Sequence, residues 1–287
     1  MKLVVGYLAT PGGADAVALG VRLARTIGAE LEICVVMRAP SPLNQEYQEE
    51  LVEQGEQWLA DAVAAVPEGI AARTHVSFHE SFADGICREA ERLGAAGIVV
   101  GGAGGGLVGS FTLGSVVNEL LHSAPVPVAV APRGTRHSDV DRIRSITCAV
   151  GRRTGAGHLI DTAMRFSAAA HTPLRLVSLV TLDEYGPRGA TSADALRRRA
   201  VEHASETLDE TARASLPQGF PVTAVVAPGA TVEAAAEQLE WHDGDLIMVG
   251  SSRLAAPRRL FLGSTAAKML RVLQVPLVVV PSADTPA

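Results

Sequence analysis

Glycines at fixed spacing dominate the uncharged stretch VVGGAGGGLVGSFTLGSV, residues 99–116. Gly101 is followed after two residues by Gly104 and after nine more by Gly114, which directly precedes Ser115. Glycine adopts backbone conformations closed to other residues and lets another molecule approach the main chain. Backbone N–H groups in such a loop, and at the start of a following helix, bind anions such as phosphate. A serine at the helix start can cap it or donate its hydroxyl. The spacing therefore predicts an anion-binding loop.

The same stretch recurs 149 residues later as MVGSSRLAAPRRLFLGST, residues 248–265. Self-similarity at a fixed period is the signature of a repeated structural unit. The chain is therefore predicted to contain two copies of one fold. The corresponding segments are 98–101 and 247–250, 113–115 and 262–264, and, at an offset of 143, 29–33 and 172–176.

Short apolar runs alternate with amphipathic segments in each copy. This alternation predicts right-handed βαβ crossovers and an α/β fold with a mainly parallel, doubly wound sheet. We expect domain 1 over residues 1–132, a polar linker over 133–144 and domain 2 over 145–287. The predicted strands of the first copy are 3–8, 31–36, 72–78, 98–101 and 126–131, and its helices are 14–27, 45–66, 82–93 and 114–122; the second copy runs from strand 145–150 to strand 277–280.

The charge balance argues against two classes of partner. The net charge is −6 and aromatic residues make up 4% of the 287 residues. An acidic chain is a poor general binder of nucleic acid or anionic membranes, and scarce aromatics disfavour base stacking. Residues 1–132 carry 7 Lys/Arg against 15 Asp/Glu, and residues 133–287 carry 18 against 16. We interpret this asymmetry as surface variation between two domains, with attraction between the halves as the alternative.

The uncharged run over residues 93–118 is long enough to span a membrane. Its glycine density, and the arginines in the matching second stretch, argue against that interpretation. The three cysteines lie far apart in sequence, at positions 34, 87 and 148, and form no CxxC pair. Such usage is typical of a reducing compartment, so we expect a cytoplasmic protein.

Together these features resemble the universal stress protein family in its tandem form. Residues 101–115 match the family's glycine signature, G-x2-G-x9-G followed by Ser or Thr. The continuation SVVNELLHSAPVPVAVAP is similar to the family's helix and final Val-Pro strand, and the resemblance covers nearly the whole chain. It implies two Rossmann-like domains, each with five parallel strands in the order 3-2-1-4-5. It also implies a pseudo-dimer in which strands 126–131 and 275–280 pair, while association into a homodimer stays open.

The resemblance further implies a ligand, because many members of the family bind ATP. By this resemblance, the first two glycines of the signature would make room for the phosphates and the ribose. The third glycine and the serine after it would hold the terminal phosphates, and Mg²⁺ would accompany the nucleotide. The expected nucleotide-binding residues are Thr10, Gly101, Gly104, Gly114, Ser115 and Val116 in the first copy and Gly250, Arg253, Gly263, Ser264 and Thr265 in the second.

The chain departs from the family pattern at two places. Nucleotide-binding members usually carry an aspartate just after the first strand, where this chain has Leu8 and, in the second copy, Gly151. Arg253 stands where the second glycine of the signature belongs; it could meet an anion directly or be a solvated loop charge. For the first copy, the alternative to a ligand site is a glycine loop needed for tight strand–helix packing.

Other constellations predict no chemistry of their own. His75 and His79 lie four residues apart without a third ligand nearby, so we expect no metal site. No GxSxG motif and no Walker lysine is present, and no Lys or Arg lies between Arg92 and Arg133, which disfavours a phosphoryl-transfer enzyme. We predict no enzyme but an adenine-nucleotide-binding regulator or sensor of the stress response. The alternative is a protein-interaction scaffold that binds no nucleotide.

Overall fold

A computed structural model gives the fold and describes residues 1–38, 45–102, 114–150, 157–181, 190–215, 217, 219–251 and 260–281. Within them, strands and helices alternate as predicted. The strands are β1 Lys2–Gly6, β2 Glu30–Met37, β3 Ala72–Phe78, β4 Gly97–Gly101, β5 Val128–Ala131, β6 Ser145–Ala149, β7 Leu174–Thr181, β8 Val222–Gly229, β9 Asp245–Gly250 and β10 Leu277–Val280. The helices are α1 Pro11–Ile27, α2 Gln45–Ala64, α3 Phe82–Leu93, α4 Ser115–Ser123, α5 Gly157–Ala170, α6 Ala190–Ser215, α7 Val232–Glu237 and α8 Ser264–Met269.

All ten strands form one sheet, in the order β3-β2-β1-β4-β5-β10-β9-β6-β7-β8. Each half therefore has the predicted 3-2-1-4-5 order. The predicted pairing of the two last strands is confirmed: β5 and β10 run antiparallel, with Val128 opposite Val279 and Val130 opposite Leu277. This pairing covers what would otherwise be two apolar sheet edges.

The ends of the elements follow from local signals. Thr10 caps α1 and Pro11 occupies its first turn, where a missing backbone N–H costs nothing. The helix therefore begins three residues earlier than the predicted 14. Gly28, with φ 66°, ends α1 in the left-handed conformation that favours glycine.

Two apolar cores lie on opposite faces of the sheet, and each extends across both copies. One contains side chains of α1, α2, α5 and α6. The other contains side chains of α3, α4, α7 and α8. The two halves thus share their cores rather than packing as separate bodies. Within the described residues, no helix is both long and apolar enough to cross a membrane.

The predicted linker packs against α1 instead of lying free. Asp15 of α1 is 1% exposed. Its carboxylate accepts hydrogen bonds from the backbone N–H groups of Gly134 and Arg136, both at 3.0 Å. The guanidinium of Arg136 forms an ion pair with the same carboxylate, and its Nη1 lies 2.9 Å from Oδ2 of Asp15. A buried carboxylate is tolerated when it is paired and hydrogen-bonded in this way. The exact domain limits, 1–132 and 145–287, stay a prediction.

A second contact links α1, the linker and the second copy. The side chain of Arg22 is 5% exposed. Its Nε donates to the carbonyl of Val140 at 2.9 Å, and its Nη1 lies 3.4 Å from Oδ1 of Asp243. The Ser138 hydroxyl donates to the same aspartate at 2.6 Å. Burial lowers the pKa of the Arg22 guanidinium, and Asp243 opposes that shift. Segment 133–144 is therefore part of the folded interface.

On strand β2, the buried carboxylate of Glu32 lies in a cluster of polar side chains. It is 1% exposed and lies 3.0 Å from Nζ of Lys2 and 3.4 Å from Nη1 of Arg73. Nε2 of His75 is 2.6 Å from its other oxygen. Nδ1 of the same ring lies 3.2 Å from Nη2 of Arg92, which can only donate. His75 is thus engaged on both nitrogens.

The carboxylate of Glu89 belongs to the same cluster, because it pairs with Arg92, and the pKa values of Glu32 and Glu89 are both lowered. Burial by itself raises the pKa of Glu32, but hydrogen bonds from His75 and Lys2 outweigh burial and bring this pKa below its usual value. Burial also raises the pKa of Glu89, but hydrogen bonds, first of all the one from Arg92, outweigh burial and bring this pKa below its usual value. A folded-state pKa below the unfolded value means that the ionised form stabilises the fold. This contribution is present at neutral pH and is lost as the pH falls through the folded-state pKa.

Acid is therefore expected to destabilise the protein through this cluster. The free energy of unfolding, measured by urea titration at a series of pH values, should decline as the pH falls below about 4.5, the ordinary value for a glutamate. Glu32→Gln should be less stable at neutral pH and show a shallower acid decline. Glu91→Gln, which changes an exposed carboxyl on α3, is the control and should keep the wild-type slope. Equal slopes for wild type and Glu32→Gln would contradict the assignment.

Candidate functional site

The strand order reverses between β1 and β4 in the first copy. The helix that follows β1 packs on one face of the sheet and the helix that follows β4 packs on the other. In open α/β sheets, ligands bind in the crevice that this reversal opens at the carboxyl ends of the strands. The predicted residues Thr10, Gly101, Gly114, Ser115 and Val116 all follow or end one of these two strands.

Two glycine backbones touch at this crevice. A Cβ atom placed on Gly101 would lie 1.8 Å from the carbonyl oxygen of Gly12. A Cβ atom on Gly12 would lie 2.3 Å from the carbonyl oxygen of Gly102. Both distances are shorter than any real Cβ contact, so the first turn of α1 can approach the end of β4 only with glycine at both positions. Packing by itself thus accounts for the first glycine of the signature.

Thr10 caps α1 at the mouth of the crevice. Its Oγ1 accepts a hydrogen bond from the Gly13 backbone N–H at 3.2 Å, and its O–H remains a donor on an exposed side chain. The carbonyl of Leu8 accepts from the Thr10 N–H at 2.7 Å. The side chain of Leu8 is 37% exposed. The position where the family resemblance expects a carboxylate therefore presents an apolar group to solvent.

Helix α4 begins with an uncapped end. Gly114 is its N-cap, in an extended conformation and without a side-chain cap hydrogen bond. The first hydrogen bond of the helix runs from the Asn118 N–H to the Gly114 carbonyl at 3.0 Å. The N–H groups of Ser115 and Val116 precede it and have no acceptor within the helix. Ser115 is exposed. This end offers backbone donors and one hydroxyl to an anion.

Three of the sequence predictions lie outside the described residues. They are Gly104, within the interval 103–113, Gly151, within 151–156, and Arg253, within 252–259. Their assignment as site residues, or as departures from the family pattern, stays a prediction.

The second copy repeats the topology with different contacts. Gly250 ends β9, and Gly263 is the N-cap of α8, where Ser264 and Thr265 are exposed. A Cβ atom on Gly250 would meet its nearest described neighbour, Cδ2 of Leu159, at an ordinary 3.6 Å. The backbone contact made by the first copy's glycine thus has no counterpart among the described residues here.

Two residues that shape these loops were not among the predicted site residues, although the segment 10–13 was expected to form the wall that faces the glycine loop. Gly12 lies in the run Pro11–Gly13, directly after the first strand, and that run was a usable signal for close backbone approach. Ser251 follows β9, and its hydroxyl bonds to the backbone of Phe261. A single serine in a loop carries no sequence signal for a contact ten residues away.

The crevice of the first copy carries little charge. The sequence from 93 to 118 contains no charged side chain, and the Arg136 guanidinium that donates to the Pro11 carbonyl at 3.2 Å is already paired with Asp15. Glu119, further along α4, accepts a hydrogen bond from the hydroxyl of Ser81 at 3.0 Å. A multiply charged ligand would therefore meet backbone N–H groups and hydroxyls rather than lysine or arginine. Such a ligand needs its own counter-ion.

Comparison with known proteins places this fold in a family. The sequence profile of the universal stress protein family matches residues 1–132 and 142–281. The chain belongs to the universal stress protein family and carries two copies of its fold in tandem. This membership makes it one of the stress-response proteins. It also confirms the resemblance drawn from the glycine spacing.

Individual relatives agree with this assignment. Universal stress protein Rv2319c of Mycobacterium tuberculosis (strain ATCC 25618 / H37Rv) is 28% identical over 292 residues, which span 98% of this chain and 100% of the relative. A universal stress protein from Archaeoglobus fulgidus DSM 4304 has a similar structure, with a TM-score of 0.67 at 18% identity over 98% of each chain. A putative universal stress protein from Pseudomonas aeruginosa UCBPP-PA14 has a TM-score of 0.60 at 18% identity, over 99% of this chain and 94% of that one. At these identities the two structures show the fold alone.

Proposed function

We propose that the protein is a regulator or sensor of the stress response that binds an adenine nucleotide, ATP with Mg²⁺, in the first copy. The observation that supports the proposal is the crevice between β1 and β4. There the end of β4 meets the first turn of α1, and the uncapped start of α4 leaves backbone N–H groups without helical acceptors. Such groups, together with the helix dipole, favour phosphate.

The proposal assigns separate tasks to the residues of this crevice. The backbone N–H groups of Ser115 and Val116 and the Ser115 hydroxyl would hold phosphate oxygens. The Thr10 O–H would donate from the opposite wall. Gly12 and Gly101 would fix the width of the crevice through their backbone contact. Mg²⁺ would supply the positive charge that the surrounding sequence lacks.

The proposed role is binding rather than catalysis. Phosphoryl transfer requires positive groups that stabilise the charge of the transferred phosphate, and the sequence between Arg92 and Arg133, which includes β4 and α4, contains no lysine or arginine. Burial raises the pKa of Cys148 to about 12. Burial, followed by the nearby carboxylates Glu89 and Glu32, raises the pKa of Cys34 well above its usual value. These thiols stay protonated, which makes them poor nucleophiles. The three cysteines lie within the described residues and form no disulfide there, which supports the proposed cytoplasmic location.

ATP binding should weaken when a carboxylate is placed at the start of α4. In Gly114→Asp, the new carboxylate would cap the helix, because aspartate is a favoured N-cap residue, so the variant should fold. Its carboxylate would accept from the Val116 or Val117 N–H and would repel phosphate. Losing one charge-assisted hydrogen bond costs about 1.5–3 kcal/mol, so we expect at least about a tenfold rise in Kd. Calorimetric titration with ATP and Mg²⁺ measures it.

The control for adding one negative charge is Thr223→Asp, an exposed position on the edge strand β8. Its Kd should equal that of the wild type. No binding by the wild-type protein, with no nucleotide in the purified protein, would refute the proposal. Equal Kd values for wild type and Gly114→Asp would move the binding site away from α4.

A non-nucleotide interaction scaffold is the second candidate. Two observations favour it: the Gly12–Gly101 contact accounts for one signature glycine without a ligand, and Leu8 places an exposed apolar side chain at the crevice. Absence of nucleotide from the purified protein, followed by no heat on titration, is its expected result.

A further inference from the structure

Three residues of the second copy's loop contact α4 of the first copy. The Leu260 N–H donates to the carbonyl of Ala124 at 3.0 Å, and the Leu262 N–H donates to the carbonyl of Leu121 at 2.9 Å. The last carbonyl groups of a helix have no partner within it. Segment 260–262 therefore satisfies the end of α4 from the other half of the chain.

Side chains reinforce this contact. Leu260 is completely buried and Leu262 is 7% exposed, and both belong to the core shared by the two copies. Between them, the ring of Phe261 meets the ring of His122 edge-on, with centroids 4.8 Å apart. Pulling the segment away would expose apolar surface and leave two carbonyl groups unpaired.

Ser251 fixes the segment from the other side. Its Oγ accepts from the Phe261 N–H at 2.7 Å and donates to the Phe261 carbonyl at 3.2 Å. Its own N–H donates to the carbonyl of Val280, in β10, at 2.8 Å. One serine thus ties segment 260–262 to the end of the sheet. At the 149-residue offset, the first copy has Gly102 at this position, which has no side chain to do the same.

We propose that segment 260–262, held by Ser251, is an internal clasp that joins the second copy to α4, and that nucleotide binding is confined to the first copy. The confinement of nucleotide binding to the first copy rests on the proposed function; the clasp does not. Ser251 is a positioning residue in this proposal, because it acts through the backbone of Phe261.

Three further differences between the copies support the proposal that only the first copy binds nucleotide. Among the described residues, the nearest neighbour of a Cβ atom on Gly250 would be Leu159 at an ordinary 3.6 Å, whereas a Cβ atom on Gly101 would overlap the backbone of Gly12. Helix α8 has six residues and α4 has nine, so its dipole is built from fewer peptide units. Arg253 replaces the second glycine of the signature. The second copy has kept the order of strand and helix, while segment 260–262 contacts α4.

Amide hydrogen exchange of the ligand-free full chain tests the clasp. The N–H groups of Leu260 and Leu262 should exchange slowly in the wild type and at least about tenfold faster in Ser251→Ala. Thr162→Ala is the matched control, because that hydroxyl donates to the carbonyl of His158 within its own helix. The control should leave both amides at the wild-type rate. Fast exchange in the wild type, or unchanged exchange in Ser251→Ala, overturns the clasp.

Titration with ATP and Mg²⁺ tests the confinement separately. We expect one site per chain in the wild type, and a Kd at least about tenfold higher at that site in Gly114→Asp. Two sites per chain, or a site that remains in Gly114→Asp with wild-type affinity, would overturn the confinement. No binding in any variant would refute the proposed function and the confinement with it, while the exchange rates would still decide the clasp.

Discussion

Gly101→Ala is expected to destabilise the protein by about 3 kcal/mol or more, the upper range for overpacking a tight site. The physical reason is the 1.8 Å that would separate the new Cβ from the Gly12 carbonyl oxygen. The obstructing atom belongs to the backbone of α1, so no side-chain rotation relieves the clash. The end of β4 and the first turn of α1 would have to separate.

The equivalent glycine of the second copy is the matched control. In Gly250→Ala the nearest described neighbour of the new Cβ would be Leu159, at an ordinary 3.6 Å, so we expect a change of less than about 1 kcal/mol, in the direction of greater stability. Urea unfolding of both variants measures the contrast. Gly12→Ala, whose Cβ would lie 2.3 Å from the Gly102 carbonyl, should be destabilised like Gly101→Ala. A Gly101→Ala protein as stable as the wild type would show that the backbone contact does not exist.

Asp15→Ala is expected to cost about 3 kcal/mol of stability and to release the linker. Removing one partner of a buried ion pair leaves the other unpaired, at a cost of about 3–5 kcal/mol. We take the lower end because Arg136 is 30% exposed and water can replace part of the interaction. The backbone N–H groups of Gly134 and Arg136 would also lose their acceptor.

Limited trypsin digestion reads this release directly, because the segment contains Arg133, Arg136, Arg142 and Arg144. Cleavage there should be at least about tenfold faster in Asp15→Ala than in the wild type. Asp209→Ala, at an exposed position on α6, serves as the control and should be cut at the wild-type rate. Rapid cleavage of the wild type would instead mean that 133–144 behaves as a free tether.

Much of the fold could be predicted because its signals are local. The alternation of apolar strands and amphipathic helices, the repeat, and the Val-Pro strands each occupy a few neighbouring residues. They were enough to give the 3-2-1-4-5 order through the family resemblance and to pair residues 126–131 with 275–280. The end of α1 was equally local, since Gly28 is a typical helix terminator.

The candidate site was predictable only as a set of positions. The spacing from Gly101 to Ser115 placed a loop between a strand and a helix, and the structure puts β4 and α4 there. The role of each glycine could not be predicted from the sequence, because a glycine that makes room for a ligand and one that makes room for a neighbouring backbone look the same there. Gly101 has Gly12 against it, and that neighbour is 89 residues away.

The sequence by itself thus determined the repeat, the α/β class, the family and the loop that could hold phosphate. Only the tertiary structure decided that segment 133–144 is held by Asp15 and Arg22, and that Ser251 ties the second loop to the sheet while segment 260–262 contacts α4. The physical reason is the range of the forces involved. Periodicity and capping act between residues a few positions apart, whereas close backbone approach and the pairing of a buried charge depend on groups that folding alone brings together.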